Sequence, residues 1–155
     1  MTNTPAVVRT AVETDLPAIA RLESGVFSHN AYPPFFFRQA YDVLGQFLLV
    51  AEDSAGGIAG YCLGAVEARG VNGWVLSIAV RPEMQRRGIG SSLMRELLIR
   101  LEASGASYAR LTVEPENTPA IAAYEKLGFR VLATDPDYFG PGEARTIMEK
   151  AMGKR

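Results

Sequence analysis

The spacing of apolar residues predicts short strands alternating with amphipathic helices along the chain. Residues 74–80 (WVLSIAV) are almost continuously apolar, as expected of a strand buried on both faces. Residues 91–103 instead carry their leucines on one stripe, which predicts a helix with a single buried face. In order, the pattern predicts strand 7–12, helices 16–26 and 35–44, strands 47–51, 58–66 and 74–80, helix 91–103, strand 109–113, helix 118–127, and strands 129–133 and 146–150.

Turn and capping residues agree with this division. Thr14 and Thr118 are predicted to cap the helices that follow them, while Gly105 and Gly128 are typical of positions just after a helix. The segment Ser-Ala-Gly-Gly at 54–57 predicts a hairpin between two strands. The resulting order is β-α-α-β-β-β-α-β-α-β-β. It predicts a mixed α/β (α+β) fold whose sheet is antiparallel early and joined by helical crossovers late.

Composition narrows the class of protein. With 155 residues, 48% of them hydrophobic and 21% charged, the chain is expected to form one folded domain over residues 1–155. The net charge is −1 and the 16 basic residues are scattered, so nucleic acid is not an expected partner. The single Cys62 favours a reducing compartment. Without a signal sequence or an apolar run of about 18 residues, a cytoplasmic protein without membrane spans is expected.

A glycine-containing turn between strand 74–80 and helix 91–103 is the strongest candidate for chemistry. It consists of Gln85, Arg86, Arg87, Gly88, Ile89 and Gly90. Two glycines let the backbone curl so that several N–H groups converge at a helix N-terminus, which suits a pyrophosphate. The same glycines could serve only a tight connection. A Walker loop is excluded because no lysine precedes Ser91, and a Rossmann fingerprint because Leu93 occupies the place of its third glycine.

Two blocks of the sequence resemble the GNAT superfamily of acetyltransferases. The turn at 85–90 matches its coenzyme A signature, Gln/Arg-x-x-Gly-x-Gly/Ala, and residues 113–129 (VEPENTPAIAAYEKLGF) match its Asn…Ala-x-x-x-Tyr-x-x-x-Gly-Phe block. The resemblance covers residues 5–150 and implies a sheet of about seven strands with about four helices. It also implies acetyl-CoA as co-substrate, no metal, and transfer of acetyl to a primary amine by direct attack.

The resemblance assigns residues to coenzyme A and to proton donation. Strand residues would hydrogen-bond the pantetheine arm, the turn would hold the pyrophosphate, and Tyr124 would give a proton to the leaving thiolate. The full set expected to bind the cofactor is Ile78, Ala79, Val80, Gln85, Arg86, Arg87, Gly88, Ile89, Gly90, Ser91, Asn117 and Tyr124. Asn117 either contacts pantetheine or caps the helix, and Tyr124 lies two turns further along that helix.

The base that deprotonates the amine is not assigned by the resemblance. Relatives carry a glutamate at positions that here hold Thr112 or Trp74. Glu114 points to the same face of its strand as Thr112 and is the candidate catalytic carboxylate, with Glu67 and His29 as weaker candidates and a water chain as another. Neutralising a lysine at pH 7 costs about 4–5 kcal/mol, but an α-amine costs only about 1–1.5 kcal/mol. An α-amine acceptor therefore depends less on a catalytic base for its deprotonation.

The acceptor segments are rich in aromatic residues and resemble those of protein N-terminal-amine acetyltransferases, including the ribosomal-protein alanine type. Phe27, Tyr32 and Tyr138 are the expected acceptor-binding residues, although Phe139 replaces the second tyrosine of the family pair. Phe35, Phe36 and Phe37 are expected in the core. A protein or peptide N-terminus is somewhat favoured as acceptor. A small-molecule amine and a non-catalytic acetyl-CoA sensor remain alternatives, and the chain is a monomer or homodimer.

Overall fold

The computed structural model describes residues 6–153, in which four α-helices flank one seven-stranded sheet. The elements are β1 (Val7–Thr10), α1 (Leu16–Phe27), α2 (Pro34–Leu44), β2 (Leu48–Glu52), β3 (Ile58–Val66), β4 (Asn72–Val80), α3 (Ile89–Ala103), β5 (Tyr108–Val113), α4 (Thr118–Lys126), β6 (Arg130–Asp135) and β7 (Arg145–Ala151). Short 3₁₀ turns occupy 13–15, 28–30, 45–47 and 82–84. The predicted mixed α/β class and element order are therefore confirmed.

The strands lie in the order β1-β2-β3-β4-β5-β7-β6. All neighbours are antiparallel except β4 and β5, which are parallel and are connected through α3. The pairing of β3 with β4 shifts by one residue between Leu63 and Gly64, so that Leu63 faces Ser77 and Gly64 faces Val75. This bulge leaves Leu76 as the extra residue and turns Ser77 toward the face that α1 covers.

Each face of the sheet has its own hydrophobic core. Helix α3 fills one face through Leu93, Met94, Leu97 and Leu101, all fully buried. Helices α1 and α2 cover the other with Ile19, Leu22, Phe37 and Ala40. The expectation that all three phenylalanines at 35–37 are core residues is wrong, because Phe35 is 66% exposed. Residues two apart on a helix point in nearly opposite directions, so Phe35 and Phe37 cannot both face the sheet.

The two predicted threonine caps are also wrong, each by one residue. Thr14 lies inside a 3₁₀ turn. Asp15 occupies the N-cap position of α1 without a side-chain cap bond, because its carboxylate accepts from the N–H of Val12, the residue before the turn, at 2.8 Å. Helix α4 is capped by Asn117, whose Oδ1 accepts from the Ala120 N–H at 3.2 Å. Of these two helices, only α4 has a side-chain cap, and it comes from Asn117, one of the two roles expected for that residue.

Candidate active site

A gap opens in the sheet between β4 and β5. The two strands pair only from Asn72 to Trp74, opposite residues 108–110. Beyond Trp74 the strands separate, and the β4 edge that faces β5 has no ladder partner within residues 6–153. Residues 78–80 lie on this part of β4 and pair with β3 on the other edge only. An extended ligand could therefore hydrogen-bond to β4 in the place of a strand.

A cavity of about 660 Å³ lies in and beside this gap, and its walls come from both ends of the chain. It brings together the predicted proton donor Tyr124, the predicted base Glu114 and all three predicted acceptor residues. The residues that line it include Glu23, Phe27, Tyr32, Ser77, Ile78, Glu114, Asn117, Tyr124, Tyr138, Phe139 and Arg145. Ala79, Val80 and residues 85–91 do not line the cavity. They lie further along, at the end of β4 and in the turn that follows.

The glycine turn has the backbone conformation that a converging set of N–H groups requires. Gly88 is the N-cap of α3 with φ +84°, in the left-handed region that favours glycine, and Arg86 also has a positive φ of +67°. Helix α3 begins at Ile89, two residues before the predicted start, and the buried Ile89 side chain anchors the turn in the core. Arg86 and Arg87 are exposed, so two cations stand beside the helix N-terminus.

Tyr124 and Asn117 belong to the α4 wall of the cavity. The Tyr124 ring packs edge-on against Phe129, with 6.1 Å between centroids. Burial raises the pKa of the Tyr124 hydroxyl, so the group stays protonated at neutral pH, as a proton donor must. Asn117 uses its side-chain oxygen as the cap of α4 and borders the cavity at the same time.

The candidate bases occupy very different surroundings. The Glu114 side chain is 55% exposed at the end of β5, and its carboxylate lies 4.0 Å from the Arg145 guanidinium on β7. Glu67 accepts from the Trp74 indole N–H at 2.8 Å and does not line the cavity. His29 is exposed in the 3₁₀ turn after α1 and also lies outside the cavity lining. Of the three, only Glu114 borders the cavity.

Aromatic rings line the part of the cavity that holds the predicted acceptor residues. Tyr32 stacks on Phe36 with 4.2 Å between ring centroids, which fixes its ring above the start of α2. On the opposite side, Tyr138 and Phe139 pack edge-on at 4.8 Å in the loop between β6 and β7. The Arg145 guanidinium lies 5.0 Å from the centre of the Phe139 ring. Two chain segments about 100 residues apart in sequence thus line the same cavity.

The structure also places a carboxylate that the sequence analysis missed at the base of this cavity. Glu23 on α1 is only 2% exposed. It accepts a hydrogen bond from the Tyr61 hydroxyl and another from the Tyr32 backbone N–H at 3.0 Å, and its Oε1 lies 3.5 Å from Ser77 Oγ. Its position four residues after the fully buried Ile19 puts it on the buried face of α1, and that spacing was the available signal.

The surroundings of Glu23 affect the tyrosines that contact it. Burial raises the pKa of the Tyr61 phenol strongly, and the hydrogen bond to the Glu23 carboxylate raises it further. Burial also raises the pKa of Tyr32, with a smaller contribution from the negative charge of Glu23. Both phenols therefore remain neutral over the physiological pH range and can donate hydrogen bonds.

Comparison with known proteins identifies the family. The model of the acetyltransferase (GNAT) family matches residues 15–129, most of the chain. The chain belongs to the acetyltransferase (GNAT) family. Its similarity to an N-alpha-acetyltransferase of Sulfolobus acidocaldarius is 30% identity, covering 91% of this chain and 89% of that protein. A [ribosomal protein bS18]-alanine N-acetyltransferase of Salmonella typhimurium is 31% identical over 88% of this chain and 87% of its own length.

One solved structure is similar over nearly the whole chain. Naa20 of Chaetomium thermophilum, in complex with a bisubstrate analogue, superimposes with a TM-score of 0.82 at 27% identity. The match covers 94% of this chain and 86% of that chain. The seven strands and four helices described above are therefore a GNAT fold. Within residues 6–153, none of the helices has the length and apolar character needed to cross a membrane.

Proposed function

We propose that this GNAT enzyme transfers acetyl from acetyl-CoA to the N-terminal α-amine of a protein or peptide. The observation that carries the proposal is the cavity at the separation of β4 and β5, where a tyrosine on α4 faces aromatic acceptor walls. The relatives that cover most of the chain are named for N-alpha and ribosomal-protein alanine acetylation, which favours an α-amine. A cytoplasmic location and a monomeric or homodimeric state stay predictions from the sequence.

Acetyl-CoA would lie along the free edge of β4. Residues 78–80 would bond its pantetheine arm, and the amides and cations of residues 85–91 would hold its pyrophosphate. The left-handed Gly88 and the start of α3 immediately after it support this arrangement. Asn117 would border the arm from α4 while its side-chain oxygen caps that helix.

The transfer step needs three groups beside the thioester. The neutral amine attacks the carbonyl carbon and a backbone N–H of β4 stabilises the oxyanion. The attacking nitrogen releases its extra proton to water, and the carbon–sulfur bond then breaks. Tyr124 gives its hydroxyl proton to the departing thiolate, and the tyrosinate regains one from solvent. Its raised pKa favours a phenol that is protonated when the sulfur leaves.

Phe27, Tyr32 and Tyr138 would seat the first side chain of the acceptor and orient its amine. Two of these rings contact neighbouring aromatic residues: Tyr32 stacks on Phe36 with 4.2 Å between centroids, and Tyr138 packs edge-on against Phe139 at 4.8 Å. Rigid aromatic walls of this kind suit a small or apolar first residue. A small-molecule amine is the second candidate, and a non-catalytic acetyl-CoA sensor is the third.

The test is release of free coenzyme A thiol from acetyl-CoA with a panel of short peptides and common amines. The proposal expects release with peptides and none with the same peptides after their N-termini are blocked. Release only with small amines would indicate that the acceptor is a small-molecule amine and not a peptide. No release with any acceptor, despite tight coenzyme A binding, would contradict catalysis and would favour the non-catalytic acetyl-CoA sensor.

A further inference from the structure

The structure assigns a route for the proton that leaves the acceptor amine: from the cavity through Ser77 and Tyr61 to Glu23. This inference rests on the proposed function, since it names the base of the same reaction. The route is a row of three polar side chains from three different elements. Ser77 on β4 lines the cavity, Tyr61 on β3 is fully buried beneath it, and Glu23 on α1 ends the row.

The distances along the row allow proton transfer. Ser77 Oγ lies 2.7 Å from the Tyr61 hydroxyl oxygen, and the Tyr61 hydroxyl donates to the Glu23 carboxylate. Hydroxyl protons rotate freely to suit their partners, and each hydroxyl can accept one hydrogen bond while donating another. When Ser77 donates to Tyr61, the Ser77 oxygen has lone pairs left for an N–H in the cavity.

The step moves one proton and needs no other reactant. An N–H bond of the acceptor ammonium breaks and its proton passes to Ser77 Oγ. Ser77 releases its own proton to the Tyr61 oxygen, and Tyr61 releases its proton to Glu23 Oε1. The amine is then neutral, both hydroxyls are restored, and Glu23 is a neutral carboxylic acid. After the product leaves, the proton returns to water by the same row in reverse.

Glu114 fits this task less well than Glu23. Its side chain is 55% exposed and it faces the Arg145 cation, so it is a solvated carboxylate at the rim of the cavity. Glu23 is buried under the acceptor loop, since it accepts from the backbone N–H of Tyr32, whose ring forms part of the acceptor wall. The buried carboxylate is thus directly below the segment that would hold the amine.

The other ionisable groups near the row come from several elements. Tyr32 approaches Glu23 from the segment between α1 and α2. The groups on the remaining walls of the cavity are Glu114 from β5, Tyr124 from α4, Tyr138 from the β6–β7 loop and Arg145 from β7. None of them forms a hydrogen bond with Glu23, Tyr61 or Ser77 among the described residues. Ser77, Tyr61 and Glu23 therefore form a hydrogen-bonded chain that is not connected to those four groups.

Tyr61→Phe is the most direct test, because it removes one hydroxyl and keeps the ring that packs edge-on against Phe37 at 5.4 Å. Glu23 itself is a poorer target, since its replacement would also release the Tyr32 backbone. We would measure kcat/KM for a peptide acceptor from pH 6 to pH 10, together with coenzyme A affinity and melting temperature. Tyr41→Phe, another tyrosine packed in the same core but outside the row, is the matched control.

At pH 7 we expect Tyr61→Phe to lower kcat/KM at least about tenfold, because general-base assistance typically contributes 10²- to 10⁴-fold and water can replace part of it. The loss should shrink above about pH 8, where the α-amine is already neutral in solution. It should also be small with an aminooxy-capped peptide, whose amine is neutral at pH 7. Tyr41→Phe should keep the activity of the unaltered enzyme at every pH.

An activity loss that is equal at all pH values, or no loss, would overturn the route. If Tyr61→Phe does not fold, the pH profile of Ser77→Ala tests the proton route in the same way. The unaltered enzyme separates this question from the proposed function. Transfer by the unaltered enzyme, together with an unchanged pH profile in the variants, contradicts the route alone, whereas no transfer to any peptide contradicts the peptide acceptor itself.

Discussion

Replacing Gly88 by alanine tests whether the left-handed turn is what forms the coenzyme A cradle. Gly88 has φ +84°, and an added Cβ would meet no atom within 4 Å, so the penalty comes from the backbone and not from a clash. For a non-glycine residue this conformation costs about 1–2 kcal/mol. For a protein of this size, 1 kcal/mol corresponds to about 2–4 °C in melting temperature.

Gly90→Ala is the matched control, two residues away in the same motif. Gly90 lies inside α3 without a positive φ, and its added Cβ would touch only Val80 Cγ2 at an ordinary 3.7 Å. Alanine at such a helical position stabilises by about 0.5–1 kcal/mol relative to glycine. The two variants should therefore differ by about 1.5–3 kcal/mol in free energy of unfolding, measured by urea denaturation.

Coenzyme A binding should separate the same two variants. If Gly88→Ala relaxes the turn, its amides no longer converge, and up to the same 1–2 kcal/mol is lost from binding. That corresponds to a dissociation constant about 5- to 30-fold higher by isothermal titration calorimetry. Gly90→Ala should bind nearly as well as the unaltered protein. Equal losses of stability and affinity in both variants would refute the conformational explanation.

Three further predictions concern individual side chains. Tyr124→Phe should lower kcat about 10²- to 10³-fold at pH 7 while calorimetry shows unchanged coenzyme A affinity; unchanged turnover would exclude proton donation by this residue. Asn117→Ala removes the cap at the Ala120 N–H and should cost about 1 kcal/mol in urea unfolding, whereas Asn117→Asp, which keeps the oxygen, should cost little. The pKa of Asp15 is lowered mainly by its hydrogen bonds from Arg9, so its stabilising contribution exists above the unfolded-state value near 3.9 and is lost as pH falls. Asp15→Asn should therefore be less stable than the unaltered protein at pH 7, with a difference that narrows toward pH 3.

Much of the fold could be predicted because the signals are local, including the strand, turn and helix that carry the residues expected to bind coenzyme A. A continuous apolar run predicted β4, a one-sided leucine stripe predicted α3, and glycines marked the turn between them. The caps predicted at Thr14 and Thr118 were wrong, whereas the cap role given as one alternative for Asn117 is confirmed, because Ser, Thr, Asp and Asn all offer a suitable oxygen. Which one faces the N–H groups depends on the exact path of the chain into the helix.

Which residues line the proposed acceptor site was decided by the tertiary structure. The aromatic residues at 27, 32 and 138 were found as candidates, but that they line one cavity follows from where the sheet places β6 and β7. Phe35 shows the same limit, since three consecutive phenylalanines do not reveal which ring the sheet will cover.

Glu23 illustrates most clearly the difference between what the sequence determines and what only the tertiary structure determines. The sequence by itself determined that a glutamate lies on the apolar face of an amphipathic helix. Only the fold decided that it could remain buried there, because its partners Tyr61 and Ser77 are 38 and 54 residues away in the chain. A buried carboxylate is tolerated when hydrogen-bond donors surround it, and such donors are supplied by strand pairing and helix packing, not by neighbouring residues.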